Sequence, residues 1–319
     1  MMGRHHARLL QASTRVTFAG AIDPGGDRFD AIRDPALVFG SLEAALASGP
    51  IDLAIVAVPT EDHLSAATVL ARHGIHMLIE KPLAATADEA RAVIAACDAA
   101  GVSGAVGHVE RFNPALIELR ARINNGQLGD VFVITTERCG PFPDRIRDVG
   151  VVKDLATHDL DIVRWLGGPI ATVAAQTQHR MGREHEDVVL VTGELDSGVS
   201  FNCQVDWLSP TKVRRTRVLG ERGMLVADTL TADLTFYANG DIASEWGATQ
   251  ALRGVSEGDM TRYALSRREP LLAELEAFVD LTEGKPSPIV TLAEGLAVVQ
   301  CAEAALQSAA SKQTVVIGS

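Results

Sequence analysis

Ile75-His76-Met77-Leu78-Ile79-Glu80-Lys81-Pro82 reads as a short buried strand that ends in a charged pair and a proline. An apolar run of this length fits a strand covered on both faces, as in a parallel sheet. Pro82 restricts the residue before it and keeps Lys81 out of helical geometry. The surrounding sequence repeats the pattern, with further buried strands predicted at 16–22, 53–58 and 104–109. Helical segments alternate with them at about 3–12, 42–48, 61–73 and 86–100. Strand and helix in alternation imply right-handed crossovers and a doubly wound parallel sheet.

The character changes after about residue 110. A helix is predicted over 114–124, closed by Asn124-Asn125-Gly126. Longer alternating segments follow at 131–138, 171–177, 188–195, 199–206, 212–219 and 224–228. Glycine-bearing turns such as Asp196-Ser197-Gly198 separate several of them. This pattern predicts a largely antiparallel sheet with one face covered. Helices near 270–283 and 291–308 and a strand near 314–317 complete the reading. The expected fold class is α/β. Residues 1–110 form a Rossmann-like nucleotide-binding domain, and residues 111–319 form an α+β domain for substrate binding and oligomer contacts.

With 319 residues and 47% apolar composition, the chain can bury two cores of ordinary size. Its net charge of -12 argues against nucleic acid or an anionic membrane as partner, while a local basic patch could still hold an anionic substrate. No apolar run is long enough to span a bilayer, and the first residues lack the long apolar segment of a secretory signal. Cys97, Cys139, Cys203 and Cys301 lie far apart with no CxxC pair. That spacing suits reduced thiols better than disulfides or a zinc site. The expected location is the cytoplasm.

Doubly wound sheets hold ligands at the carboxyl ends of their strands, and dinucleotide phosphates sit on the first helix N-terminus. Gly3 has the place of the last glycine in such a phosphate turn, whereas the first strand and the first two glycines are absent. Asp23 lies twenty positions later at the end of the next strand, where a ribose-binding carboxylate belongs. A carboxylate there repels a 2′-phosphate, so the expected cofactor is NAD. The competing reading of Asp23-Pro24-Gly25-Gly26 is a plain turn. Pro59 and Thr60 end another strand and are candidate cofactor contacts, with helix capping by Thr60 as the alternative. His63 is a further candidate, set against a purely structural role. Glu80 and Lys81 end the strand quoted first. Lys81 could stabilise negative charge developing on a substrate oxygen, or pair with Glu80 at the surface. A sheet without its central strand leaves backbone groups unpaired, so weak NAD binding is expected of these residues.

The second chemical stretch is Asp154-Leu155-Ala156-Thr157-His158-Asp159-Leu160-Asp161. Spacings of four and seven put Asp154, His158 and Asp161 on one helix face. His158 can act as a general base near neutral pH, with Asp154 orienting it or binding a substrate hydroxyl. An acid-rich helix start with a structural histidine stays open, as does a divalent metal on the three side chains. The helix alone supplies no closed ligand set, so no metal is expected.

Glu80-Lys81-Pro82 followed by Asp154-x-x-x-His158, behind a dinucleotide fold, resembles the glucose–fructose oxidoreductase/inositol dehydrogenase/MocA family. The likeness extends to Val56-Ala57-Val58-Pro59-Thr60 with His63, to Gly74-Ile75-His76, and to Glu269-Pro270-Leu271-Leu272-Ala273-Glu274. It implies NAD(P)-dependent oxidation or reduction of one carbon of a sugar, sugar nucleotide or cyclitol. It also implies that Lys81 is the active-site lysine, Asp154 a neighbour of the substrate hydroxyls, and His158 the acid/base. Residues 107–114 and 138–151 are similar to UDP-N-acetylglucosamine 3-dehydrogenases, which implies substrate contacts by Arg111, Asn113 and Arg145. Trp207, Lys212 and Arg214 could meet the nucleotide or its phosphates, with an exposed basic sheet face as the alternative. The resemblance further implies a homo-oligomer, a dimer or tetramer.

Overall fold

The computed structural model describes residues 2–143, 149–240 and 256–318. In chain order the helices are α1 (Met2–Ala12), α2 (Leu42–Ser48), α3 (His63–Arg72), α4 (Ala87–Ala100), α5 (Pro114–Asn124), α6 (Thr157–Gly167), α7 (Pro270–Thr282) and α8 (Leu292–Ser311). The early strands are β1 (Ala21–Ile22), β2 (Val38–Phe39), β3 (Leu53–Val56), β4 (His76–Glu80) and β5 (Gly104–Gly107). Then come β6 (Val131–Pro141), β7 (Ile170–Gln178), β8 (Val188–Leu195), β9 (Ser200–Asp206) and β10 (Leu208–Gly220). The last are β11 (Gly223–Asp228), β12 (Asp233–Gly240), β13 (Ser256–Tyr263), β14 (Val290–Thr291) and β15 (Val315–Val316). Contacts divide the chain into two units. The first is Met1–His108 with Leu271–Val299, and the second is Val109–Pro270 with Gln300–Ser319.

In the first unit β3, β4 and β5 pair in parallel, and β14 lies antiparallel beside β5. Met77, Leu78 and Ile79 are fully buried, which is what the unbroken apolar run at the centre of this sheet requires. The crossover helix α4 starts where the Thr86 hydroxyl accepts the Glu89 N–H and the Glu89 carboxylate accepts the Ala85 N–H. It stops at Gly101, whose φ of 65° lies in the left-handed region. The strand expected over 16–22 is only Ala21–Ile22, and it pairs with β2 in a separate two-stranded sheet. Among the described residues, 16–20 have no ladder partner to hold them extended. The parallel pair β1–β2 thus stands apart from the β3–β4–β5 ladder.

The expected boundary near residue 110 needs one correction, because residues 271–299 return to the first unit. Val290 and Thr291 join β5 opposite Val106 and Ala105. A β-carbon on Gly104 would overlap Leu292, and one on Gly295 would press on Val106 and Leu83. Leu271, Leu275 and Phe278 of α7 are buried as well. Sheet pairing and close packing, neither visible as a local pattern, decide where this late segment belongs.

The second unit is a nine-stranded sheet in the order β13-β12-β11-β10-β6-β9-β8-β7-β15. Its neighbours are antiparallel apart from the parallel pair β6 and β9. On β9, Phe201, Cys203 and Val205 point inward while Ser200, Asn202 and Gln204 are exposed. The inner face packs with Leu116 and Leu119 of α5, Leu160 and Val163 of α6, and Ala302 and Ala305 of α8. Strands β12 and β13 were not expected. Ser256-Glu257-Gly258-Asp259 has no apolar alternation, and this edge strand takes its form from the ladder to β12.

Candidate active site

The chemical residues of the first unit gather at the carboxyl ends of β3 and β4. Lys81 follows β4 and is half-buried, and the Lys81–Pro82 peptide is cis. Beside it, the Glu80 carboxylate lies 2.7 Å from Nε2 of the buried His6 on α1. A β-carbon on Gly3 would lie 3.8 Å from Ala57, so the first turn of α1 stands next to the end of β3. The first N–H groups of a helix have no intrahelical partner, and the helix end carries partial positive charge. Asp23 is exposed at the end of β1, where its Oδ1 accepts the Gly25 N–H at 2.8 Å. The turn uses one carboxylate oxygen and leaves the group open to solvent. Thr60 does not cap α3, whose cap position is Asp62 and makes no side-chain bond. This set of donors and carboxylates could hold a dinucleotide, with the α1 end and Gly3 near phosphate, Asp23 near ribose, and Pro59, Thr60, Glu80 and Lys81 near the remainder.

His63 takes the structural one of its two expected roles. Its ring is buried, with Nδ1 3.0 Å from the Pro82 carbonyl oxygen and 3.3 Å from that of Leu83, and Nε2 3.2 Å from that of Val58. Burial pushes its pKa below the ordinary histidine value, against the opposing pull of these carbonyls. Both ring nitrogens face main chain, so His63 ties the end of β3 to the Lys81-Pro82 loop and presents no atom to a cofactor.

In the second unit, Asp154 and His158 occupy the first turns of a helix running from Val151 into α6. A π-helical turn, Val152–Ala156, lies at its start and carries Asp154. Asp154 and His158 are half-buried, while Asp159 and Asp161 are buried. Asp161 was expected on the face of Asp154 and His158. Instead Arg111 holds it bidentately, with Nε–Oδ2 at 2.9 Å and Nη2–Oδ1 at 2.6 Å. Asp161 is thus engaged by a cation, while Asp154 and His158 stay half-buried.

The same geometry corrects Arg111 and Asn113 as substrate ligands. Arg111 is 6% exposed, and its guanidinium also lies 5.8 Å over the Trp165 ring. Asn113 caps α5 by accepting the Ala115 N–H and donates to the Thr229 carbonyl at 3.0 Å. Trp207 is also buried, at 2% exposed, with its ring edge-on to Phe142 and the Arg183 guanidinium 5.2 Å from its centroid. It packs in the core and lines no open face. Arg145 lies outside the described residues.

Lys212 and Arg214 remain. A β-carbon on Gly140 would touch Lys212, and the Arg214 Nη1 is its next neighbour, so that glycine makes room for both. Nη1 of Arg214 donates to the carbonyls of Cys139 at 2.6 Å and Val213 at 2.7 Å. Among the described residues Arg214 has no carboxylate partner, and burial, then the neighbouring Arg138, lower its pKa. Arg214 stands opposite Arg138 in the β10–β6 ladder. Arg138 itself is buried and bonded to Asp159 at 2.7 Å and Glu110 at 2.9 Å. Burial opposes its charge, but the two carboxylates outweigh burial and raise its pKa. Sequence spacing gave no sign of this Glu110–Arg138–Asp159 network, because its members come from three separate elements. The four cysteines are free and buried, and burial pushes the thiols of Cys97 and Cys301 up to about 11, away from thiolate chemistry.

Comparison with known proteins accords with this geometry. Residues 1–108 match the family model "Oxidoreductase family, NAD-binding Rossmann fold", and residues 120–317 match "Oxidoreductase family, C-terminal alpha/beta domain". UDP-N-acetylglucosamine 3-dehydrogenase of Acidithiobacillus ferrooxidans is 27% identical over 88% of this chain and 85% of its own length. Its crystal structure superposes with a TM-score of 0.81 at 26% identity, covering 98% of this chain and 95% of that one. Inositol 2-dehydrogenase of Rhizobium meliloti is 25% identical over 99% of this chain and 96% of its own length. Among the described residues no helix is long and apolar enough to cross a membrane. The chain belongs to the Gfo/Idh/MocA oxidoreductase family, as an NAD(P)-dependent dehydrogenase with an NAD-binding Rossmann domain.

Proposed function

We propose that this chain oxidises a secondary hydroxyl of a sugar nucleotide to a ketone, with C3 of UDP-N-acetylglucosamine as the reacting carbon. One observation carries the choice of a charged substrate: Arg214, half-buried beside Lys212, makes no ion pair with a carboxylate among the described residues. In a chain of net charge -12, two adjacent cations without an ion-pair partner among the described residues suit a diphosphate, which a guanidinium binds through paired N–H donors. The likeness to a UDP-N-acetylglucosamine 3-dehydrogenase supports the same reading.

NAD, when bound, supplies the hydride acceptor. His158 takes the hydroxyl proton, since a neutral imidazole is matched to proton transfer near pH 7. Asp154, one helical turn earlier, orients the substrate hydroxyls or the imidazole. The Lys81 ammonium stabilises charge developing on the reacting oxygen.

The test is NADH formation, followed by absorbance, with UDP-N-acetylglucosamine, free N-acetylglucosamine and myo-inositol. Turnover confined to the sugar nucleotide is expected. Arg214→Ala should raise its KM about 10- to 100-fold, the weight of one or two charge-assisted hydrogen bonds. His158→Ala and Lys81→Ala should each lower kcat about 10²- to 10⁴-fold with the fold intact. Turnover of myo-inositol but not of the nucleotide would move the assignment to cyclitol oxidation. Near-normal rates in both single variants would remove the mechanism.

A further inference from the structure

We infer that Glu186 is a positioning residue for Asp154 and His158, acting through the start of the helix that carries them. This rests on the roles proposed above for those two side chains. Their helix begins at Val151, directly after Gly150. Its first N–H groups have no intrahelical acceptor. Glu186, from the connection between β7 and β8, supplies two acceptors. Its main-chain oxygen takes the Val151 N–H and its Oε1 takes the Val152 N–H, each at 3.0 Å. A carboxylate at this end also meets the positive pole of the helix.

The cap is enclosed on every side that matters. Glu186 is 8% exposed. A β-carbon on Gly150 would overlap its carboxyl group, so glycine is required there for space. The next residue fixes the connection. Oδ2 of Asp187 accepts the N–H of Arg180 at 2.6 Å and of Met181 at 2.7 Å. Its main chain donates to Gln178 at 2.8 Å and accepts the Trp207 N–H at 3.0 Å. Glu186 therefore reaches the helix from an anchored segment. Immediately beyond the cap, the Asp154 N–H donates to the Gly150 carbonyl at 3.1 Å, and the π turn sets the rotation that leads to His158. Moving the cap moves both side chains, although Glu186 itself touches no reacting atom.

Glu186→Ala, Glu186→Gln and Gly150→Ala test this in the full chain by three readouts. The first is amide hydrogen exchange over residues 151–158, with α4 as internal control. Removing a helix cap should raise exchange there about 3- to 30-fold in Glu186→Ala, while α4 stays unchanged. The second is kinetics: kcat should fall at least about tenfold in Glu186→Ala with the KM for NAD unaltered, because only the orientation of the reacting pair is disturbed. Glu186→Gln, whose amide oxygen can still accept the Val152 N–H, should recover kcat to within about threefold. The third is the His158 ring resonance, which should shift in Glu186→Ala and return in Glu186→Gln. Unchanged exchange, raised exchange with unaltered kcat, or Glu186→Gln as impaired as Glu186→Ala would each overturn the inference. A wild-type chain without turnover on any sugar would defeat the proposed function alone. In that case an unshifted His158 resonance in Glu186→Ala overturns the positioning role, and a shifted one upholds it. Gly150→Ala should reproduce Glu186→Ala; should it fail to fold, the two Glu186 variants decide.

Discussion

Glu274 on α7 is fully buried, and neither carboxyl oxygen has a hydrogen-bond partner among the described residues. Burial first, and the nearby Glu80 carboxylate second, raise its pKa well above the ordinary value of 4.5. The folded chain therefore holds this proton to a higher pH than the unfolded chain, which releases it around the ordinary value of 4.5. Folding then requires proton uptake, so this group makes stability decline as pH rises from 4.5 toward the raised folded value. Glu274→Gln, which cannot titrate, should remove that decline. The gap between variant and wild-type urea midpoints should be small at pH 4.5 and grow by pH 8. Glu274→Met also removes the unsatisfied oxygens and should add about 1–3 kcal/mol at pH 8. Equal midpoints at both pH values would show the carboxyl to be satisfied and ionised. Nothing in Leu272-Ala273-Glu274-Leu275-Glu276 marks one glutamate as buried and the other as not; that distinction comes only from how α7 packs.

The acidic residues and the histidine of the helix starting at Val151 differ in burial. Asp154 and His158 are half-buried, whereas Asp159 and Asp161 are buried against Arg138 and Arg111 from β6 and the turn before α5. Arg138→Ala would leave Glu110 and Asp159 without their cation and should cost about 3–5 kcal/mol in denaturant unfolding, the usual penalty for half of a buried ion pair. A loss under about 1 kcal/mol would mean that solvent already reaches the network. The elements themselves were legible in the sequence where apolar periodicity is regular, as in β4, α4, α5 and β9. The spacing of Asp154 and His158 was legible too, because four residues nearly close a helical turn. The ionic partners were not, since a single sequence gives no distance between Arg138 on β6 and Asp159 on α6. The resemblance implied substrate contacts for Arg111 and Asn113, and no local pattern showed that one is an ion-pair member and the other a helix cap. A π turn has no signature in composition, so the turn that carries Asp154 could not be read from the sequence.

Among the described residues, one sheet face of the second unit carries exposed apolar side chains, and that face bears on assembly. Leu219, Met224, Tyr237 and Met260 are ladder neighbours on β10, β11, β12 and β13, forming a continuous apolar row. Leu219 is 42% exposed, Tyr237 41% and Met260 65%. On the same face, Glu137, Arg215 and Asp228 are ladder neighbours of alternating sign. A twofold axis brings a patch onto its own copy, so the apolar row can bury itself while charges of opposite sign meet. Contiguous exposed apolar side chains of this size are uncommon on chains that stay monomeric. We therefore expect a homodimer through this face, or a tetramer built from such dimers. Light scattering should give a mass of at least twice 33.8 kDa at micromolar concentration. Leu219→Glu would bring two carboxylates toward each other across the axis and should yield the 33.8 kDa species with the fold retained. Wild-type chain that stays monomeric at tens of micromolar, or a Leu219→Glu variant that remains assembled, would show that this face is not the contact. Because Lys81, Asp154 and His158 all lie outside the row, a dissociated variant that keeps its kcat would show that assembly is not needed for the chemistry.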